Sequence, residues 1–541
     1  MSAVQLSFAD SAVLIVYFVL IVGLGVFAAK ASKGSANQYF LAGNSLRWPM
    51  VGAALFATNI STIHLVGLAA GGFQYGLVIG NFEWMAVITI VFLALIFAPR
   101  FVGAGLSTVP EFLERRYSHR IRLIVAVINI FAALLIHIGI SLFAGSQIIE
   151  ALLGVPSSYS ILAVALLTFI YTAMGGLKAV VWTETVQTFV LIGAAILVTV
   201  LMFRALPDYG IVSFEGLSER LRPDHLEMLQ PISGESGRLN EYSWLAVLLG
   251  YPVLGIWYWC TDQTIVQRAL GASSIEDAQY GALFCGFLKI LPVFILVLPG
   301  ILAYAVFSAE IGDDANRTYS VILAEIVPDG LRGLIVAGLL AALMSTVAGA
   351  IHSCSTTIAL DLLPAIRKTT SAKTKVLVGR VATAVIIVIA TAWSTQGDKF
   401  SSIFEAINKI PVAFAPPIVV VFLAGLLWRK ASEKAAFVTL ATGFSVGMAV
   451  LLLDLPMVGD KRVFSDVVGI PYMLQAWILF VVYALLFAIV ASMSIAESEG
   501  TKSVSGDAAA MGEGIGNPKA KRLAVLLLTL LAALYWATTL I

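Results

Sequence analysis

The sequence predicts an all-α integral membrane protein of about fourteen transmembrane helices, on three observations. The chain of 541 residues is 60% hydrophobic and 12% charged, with a mean hydropathy of +0.95, whereas soluble domains carry roughly 25% charged residues. Apolar runs of about 20 residues, the length that crosses a hydrocarbon core, recur along the whole chain. Most of its Lys and Arg collect in short segments that fall on one side if Met1 is outside, as expected of cytoplasmic loops. A soluble enzyme is thereby excluded. With 33 Lys+Arg against 32 Asp+Glu the formal net charge is +1, which offers no field for nucleic acid or an anionic protein partner.

Taken in order, the apolar runs fall near 9–29, 47–75, 81–99, 122–151, 157–174, 180–203, 243–268, 277–307, 333–360, 377–396, 402–427, 435–453, 471–492 and 521–541. The first follows a segment without Lys or Arg and lacks a small-residue cleavage site, so it is expected to be a retained span and not a signal peptide. Lys30, Lys33 and Arg47; Arg115, Arg116, Arg120 and Arg122; Lys178; Arg367, Lys368, Lys373, Lys375 and Arg380; Arg429, Lys430 and Lys434; and Lys519, Lys521 and Arg522 form the basic side. Acidic residues such as Asp208, Glu215, Glu310 and Asp313 lie opposite. Both termini are then expected outside. The stretch 493–518, rich in Ser, Gly, Ala and Glu, has no apolar period and reads as a cytoplasmic linker. Cys260, Cys285 and Cys354 lie in apolar sequence without metal-site or disulfide spacing and read as packing residues.

Two spans are interrupted. The second contains Ala57-Thr58-Asn59-Ile60-Ser61-Thr62-Ile63-His64 and then Gly71-Gly72, and the seventh contains Gly250-Tyr251-Pro252 followed by Gly255-Ile256-Trp257-Tyr258-Trp259-Cys260-Thr261-Asp262-Gln263. An unpaired backbone carbonyl in hydrocarbon costs several kcal/mol, so a broken helix survives only where its freed groups line a cavity or bind an ion. Interruptions early in each half are the mark of an inverted-repeat transporter with its site at the midplane. The expected organisation is an extra helix and cytoplasmic loop (1–46), a first five-helix repeat (47–203), an outer loop (204–242), a second, inverted repeat (243–434) and C-terminal helices with the linker (435–541).

Polar residues such as Ser, Thr and Asn often do no more than hold membrane helices together. Ionisable ones are harder to dismiss, since each at a helix centre costs roughly 2.5–3.5 kcal/mol on insertion scales. His64, Glu83 and Lys289 all sit within apolar spans, and a Glu83–Lys289 ion pair of purely structural purpose is the competing reading. His137 and His352 read as packing histidines. In the ninth span Ala342, Ser345 and Thr346 follow the i, i+3, i+4 spacing of one helical face, while Ala57 and Ile60 at the first break offer freed carbonyls. Two hydroxyls and three carbonyls without a carboxylate suit a weakly held monovalent cation better than a proton or a divalent metal.

The segments Tyr39-Phe40-Leu41-Ala42-Gly43, Ala57-Thr58-Asn59-Ile60-Ser61, Phe82-Glu83-Trp84, Pro110-Glu111-Phe112, Tyr171 to Ala179, and Trp257 to Arg268 resemble the sodium:solute symporter family, most nearly its sodium/glucose cotransporters, over residues from about 10 to 490. The resemblance implies a LeuT-type fold and alternating access. It places a sodium site on Ala57, Ile60, Ala342, Ser345 and Thr346, which is also the face found from spacing. It places a sugar site on Asn59, His64, Glu83, Lys289 and Asn408, with Tyr258 closing the inner side, Trp259 beside it, and Leu68, Phe82 and Phe404 as an outer lid. Such a set suits a pyranose, whose hydroxyls need donors and acceptors and whose C–H face stacks on an aromatic ring.

The sequence departs from the family pattern in two places. Asn408 stands where the family's sugar transporters usually have Gln, and Gly255 where they have Asn or Thr. Where members with a second sodium site have Asp and two hydroxyl residues, this chain has Glu184, Ala348 and Gly349, so one sodium per sugar is expected.

The function expected is sodium-coupled import of a neutral, glucose- or galactose-like hexose across the bilayer. The alternatives are another neutral solute, such as a polyol like inositol or an amino acid, and a sensor with a transporter fold. A channel would need a continuous polar pore, which Trp257-Tyr258-Trp259 opposes. An enzyme would need a nucleophile, metal cluster or acid–base pair with its accompanying motif. The lack of a large disulfide-bearing outer loop points to a bacterial inner membrane, and nothing in the chain implies a nucleic-acid partner.

Overall fold

The computed structural model describes residues 6–30, 35–234, 239–367, 369–395, 403–454, 462–497 and 517–540, without the side chains of 63, 151, 152, 403–408 and 495–497. Phe404 and Asn408 therefore lie outside the described side chains, as does most of the 493–518 linker. Among the described residues the structure is helical, with isolated β-bridges and no named strand.

Among the described residues, twelve helices are long and apolar enough to cross a membrane. Two of these hold more than one pass, and together with the broken helix near residue 60 they resolve into fourteen. We number them α1 (Phe8–Lys30), α2 (Trp48–Asn59 and Thr62–Tyr75), α3 (81–103), α4 (119–153), α5 (157–175), α6 (177–205), α7 (244–270), α8 (Ile275–Ile311), α9 (Arg332–Ile366), α10 (Ala372–Ser394), α11 (Ile403–Leu427), α12 (Glu433–Asp454), α13 (Tyr472–Glu497) and α14 (Pro518–Thr538). Every expected span has its helix. The separation of α5 from α6 rests on Gly176, whose φ of +59° and ψ of −158° break the helix. Only glycine fits there, since a Cβ would sit 2.2 Å from the Tyr39 carbonyl oxygen.

The first break falls where the polar run predicts it. Asn59 ends the first half of α2, Ile60 turns extended (ψ 100°), and Ser61 starts the second half. The Ser61 backbone N–H donates to His64 Nδ1 at 3.3 Å, and Ser61 Oγ lies 3.2 Å from the same atom, so the new helix start is capped locally. In α7 the helix instead runs through Gly250 and Pro252, passes into a π-helical turn over Trp257–Thr261, and breaks at Asp262 (ψ 122°). The interruption expected within 250–263 thus falls at its far end, at Asp262, and not at Gly250 or Pro252. Gly250 serves packing, since a Cβ there would meet the Met473 carbonyl oxygen at 2.2 Å. Asp262 begins the next helix by accepting the Thr264 N–H at 2.6 Å.

α9 is buried along nearly all of its length from Gly333 to Thr357 and forms the axis of the molecule. The outlying helices show apolar side chains outward, among them Val19 and Phe27 on α1 and Val525 and Trp536 on α14, as lipid contact requires. α14 is fixed to the body by Tyr535, whose OH donates to Asn81 Oδ1 at 2.8 Å. At the basic end Arg116 donates to the carbonyls of Gly425, Trp428 and Ala431, satisfying the open C-terminus of α11. Cys260, Cys285 and Cys354 are buried and unpaired, as read from their apolar surroundings.

Candidate functional site

The break in α2 frees the carbonyls of its last turn, and α9 meets them. Ser345 Oγ donates to the Ala57 carbonyl at 2.7 Å and to the Ala342 carbonyl at 3.0 Å. Thr346 Oγ1 donates to the Thr58 carbonyl at 3.0 Å. Four of the five residues expected to hold a cation are thus joined by hydrogen bonds or lie next to one, and Ile60 supplies the extended residue at the break itself. These oxygens are carbonyl and hydroxyl, and no group of three or more His, Cys, Asp or Glu side chains stands anywhere among the described residues. The donor set fits a weakly charged hard ion and not a divalent or soft metal. Thr62 Oγ1, donating to the Leu339 carbonyl at 3.1 Å, adds a further tie between α2 and α9.

Glu184, on α6, is committed elsewhere. Its Oε1 accepts from Arg268 Nη2 at 2.5 Å and from Thr58 Oγ1 at 3.0 Å, and both charged side chains are fully buried. Gly349 is what makes room for the guanidinium, because a Cβ there would stand 2.2 Å from Arg268 Nη2. The Arg268 guanidinium fills the space between Glu184 and Gly349.

Beside Thr346 and the break in α2 lies a cavity of about 140 Å³, lined by Asn59, His64, Glu83, Tyr258, Trp259 and Lys289 among others. These are all the expected sugar contacts whose side chains are described. They come from α2, α3, α7 and α8, and four of them, Asn59, Glu83, Tyr258 and Lys289, are joined in one hydrogen-bonded chain. Lys289 Nζ donates to Asn59 Oδ1 at 2.7 Å and to Glu83 Oε2, and Asn59 Nδ2 donates to the Tyr258 hydroxyl at 3.1 Å. Lys289 Nζ also lies 5.7 Å from the Trp259 ring. Because Nδ1 of His64 is engaged at the Ser61 cap, any polar contact it makes with a ligand falls to Nε2.

Tyr258 and Trp259 pack edge to face, ring centroids 5.3 Å apart, and Trp257 meets Phe414 of α11 at 5.0 Å. Phe82 lines the cavity and touches the rings of Tyr242 and Tyr251. Leu68 is 1% exposed and is not among the residues that line the cavity. It lies inside the second half of α2, and the helix turns it into the core. Gly255 does line the cavity, and a Cβ there would stand 2.8 Å from both Thr89 Cγ2 and Tyr251 Cε1. The departure at 255 is therefore matched by its neighbours, and a larger side chain has no space.

Sequence reasoning missed several lining residues, among them Ser61, Ser141, Tyr251, Trp257 and, most of all, His137. His137 was read as packing, yet its Nε2 lies 2.7 Å from Asp262 Oδ2 at the second break. Its one sequence signal is Ser141, four residues on and so on the same helical face. His352 does pack, against the rings of Tyr39 and Phe40.

Comparison with known proteins follows the same line. The family model for the sodium:solute symporter family matches residues 39–443. Sodium/glucose cotransporter 2 of Rattus norvegicus is 33% identical over 82% of this chain and 71% of its own length. Sodium/glucose cotransporter 1 of Ovis aries is 30% identical over 88% and 77%, and sodium/glucose cotransporter 4 of Homo sapiens 32% over 84% and 70%. Among solved structures, a Na+-coupled sialic acid symporter in a substrate-bound outward-open state superposes with a TM-score of 0.74 at 19% identity, covering 90% of this chain and 98% of that one. That likeness is one of fold, and the fold is the LeuT-type arrangement of broken helices.

Proposed function

The chain belongs to the sodium:solute symporter family, and on that premise we propose that it imports a neutral sugar with sodium by alternating access. The observation that carries this is the break in α2, which serves both sites at once. Ala57 and Thr58 accept from Ser345 and Thr346 of α9, while Asn59, next along the chain, is bonded to Lys289 and Tyr258 in the cavity. A cation that draws the α2 carbonyls and the α9 hydroxyls together fixes Asn59 and so completes the polar surface for the sugar. That is a differential interaction of the kind coupling needs.

The polar groups match a neutral pyranose. Glu83 accepts, Lys289 donates, and Asn59 and His64 do either, while Tyr258 and Trp259 offer faces for the ring. Asn408 is proposed as a further contact and Leu68 and Phe404, with Phe82, as the outer lid. A carboxylate-bearing substrate is disfavoured because Lys289 is already held by Glu83 and Asn59. The sodium ligands proposed are the carbonyls of Ala57, Ile60 and Ala342 and the hydroxyls of Ser345 and Thr346. A single ion is favoured because Arg268 occupies the space by Glu184.

The two repeats are proposed as 47–203 and 243–434, supported by the breaks at Ile60 and Asp262 in the first helix of each. The segregation of Lys and Arg supports a plasma-membrane protein with both termini outside. The test is uptake of labelled D-glucose and D-galactose into proteoliposomes with and without a sodium gradient, followed by competition with unlabelled hexoses, polyols and amino acids. Uptake that ignores sodium would remove the reading.

A further inference from the structure

α14 belongs to neither proposed repeat, yet it packs on one helix of each, α3 and α8. Ala520, Ala524, Leu527 and Leu531 form its buried stripe, at the spacing of one helical face. At its start Asn517 donates to Gln279 Oε1 at 3.2 Å and to the Tyr280 hydroxyl at 3.3 Å, both on α8. Halfway along, Leu527 fills the space beside Gly286, where a Cβ would stand 2.6 Å from Leu527 Cδ2. At its end Tyr535 donates to Asn81 Oδ1 at 2.8 Å and sets its ring edge to face on Trp84, centroids 5.1 Å apart. Trp84 follows Glu83 on α3.

Lys289 stands where α8 is interrupted. The α-helical run ends at Leu288 and a π-helical turn begins at Val293, with Pro292 between them. Proline has no N–H to offer the preceding turn, so the hydrogen-bond ladder cannot pass through it. At this interruption Trp84 Nε1 donates to the Ile290 carbonyl at 3.3 Å. The residues next in sequence to Glu83 and Lys289 are therefore bonded to each other, as Glu83 and Lys289 themselves are. The Trp84 indole is 1% exposed, with Phe294 of α8 on one side and Tyr535 of α14 on another.

We infer that Trp84 and Tyr535 are positioning residues of the sugar cavity: α14 backs the Trp84 indole, and the indole fixes the interrupted stretch of α8 so that Lys289 meets Glu83 and Asn59 where the sugar binds. The inference rests on the symporter reading of that cavity. Attraction between the two charges does not by itself place them, because a lysine ammonium on its flexible four-carbon stem can follow a carboxylate through many geometries. A site that reads hydroxyls needs its donor and acceptor held to a fraction of an ångström. That precision has to come from the backbone, and the backbone beside Lys289 is the part of α8 that the helix ladder does not hold. Without the indole N–H, or with room opened behind the ring, the Ile290 carbonyl loses its tie, the stretch gains freedom, and the loss falls on sugar affinity. The contacts that Trp84 and Tyr535 make here reach α3, α8 and each other, and the cation oxygens on α2 and α9 are untouched.

Initial rates of sodium-driven uptake of labelled D-glucose or D-galactose, whichever the natural protein takes up, are measured with the full chain in proteoliposomes over a range of sugar and of sodium. Trp84→Phe keeps an aromatic ring and removes the N–H, and Tyr535→Ala removes the ring behind it. Each is expected to raise the half-saturating sugar concentration several-fold, with the maximal rate unchanged and the half-saturating sodium, read at saturating sugar, unchanged. Tyr535→Phe, which retains the ring contact and loses only the hydroxyl, should recover most of the affinity. Trp536→Ala, on the lipid face of the same helix at 66% exposure, should match the natural protein and so separates this bracing from general anchoring. In parallel, hydrogen exchange of the backbone amides of 286–291 in lipid nanodiscs without sugar should be faster in Trp84→Phe and Tyr535→Ala than in the natural protein, and whichever of the two inserts decides. Natural sugar affinity or unaltered exchange at 286–291 in these variants overturns the inference, as does an equal loss of affinity in Trp536→Ala. A natural protein without sodium-driven uptake bears on symport alone, since the exchange measurement still tests the brace.

Discussion

Replacing Glu83 by Gln tests whether the buried pair with Lys289 exists for the sugar or for the fold. Glu83 is 2% exposed and Lys289 1%, and Lys289 is shared between Glu83 and Asn59. Gln keeps the shape and a neutral acceptor, so Lys289 retains Asn59 as a partner and the helix contacts are unchanged. What is lost is the charge on the acceptor offered to a sugar hydroxyl. A hydrogen bond to a charged group contributes about 1.5–3 kcal/mol, and with every 1.4 kcal/mol worth tenfold, binding should weaken by roughly 10- to 150-fold. The assay is equilibrium binding of the transported sugar to purified protein at saturating sodium, with the unfolding temperature measured in parallel. Sodium dependence should survive, because none of the cation oxygens comes from α3. The reasoning fails if affinity changes by less than about twofold, since that is under 0.5 kcal/mol. It fails equally if the protein is destabilised and the doubly neutral Glu83→Gln, Lys289→Met variant restores both stability and sugar binding, for the pair is then structural.

Further outcomes follow from the same geometry. Ser345→Ala removes the hydroxyl bonded to Ala57 and Ala342, and Thr346→Ala the one bonded to Thr58; each should raise the sodium concentration for half-maximal uptake, and an unchanged sodium curve in both would move the ion elsewhere. Tyr258→Ala should lose coupled uptake while Tyr258→Phe keeps much of it, losing only the bond from Asn59; normal accumulation by the Ala variant would place the gate elsewhere. With Arg268 against Glu184, one charge should move per neutral sugar, worth ~2.3 kcal/mol per 100 mV and so roughly fifty-fold accumulation from voltage alone. Reversal potentials under set sodium and sugar gradients measure the ratio, and two charges per sugar would refute the single ion.

The sequence by itself determined the membrane passes and the face of α9 that carries Ala342, Ser345 and Thr346. A span is written in local hydropathy, because hydrocarbon demands that each pass satisfy its own backbone, and all fourteen runs have their helix. The first break was legible for the same reason: Thr58, Asn59, Ser61 and His64 in one apolar run supply the groups that cap a helix end, and Ser61 and His64 do so. Ala342, Ser345 and Thr346 share a face by helical periodicity alone. Tertiary structure decided what depends on a neighbour far along the chain. Gly250 and Pro252 look like a helix break, yet the helix continues through them with Gly250 packed on α13, and the chain opens at Asp262 instead. Leu68 turns into the core, and Gly255 is small because Thr89 and Tyr251 crowd it. His137 and Asp262 are 125 positions apart, Glu184 and Arg268 84, Glu83 and Lys289 206. A buried charge must find an opposite partner, and periodicity along one helix cannot say which of several buried charges from other helices that partner is; only their packing brings two particular side chains within reach.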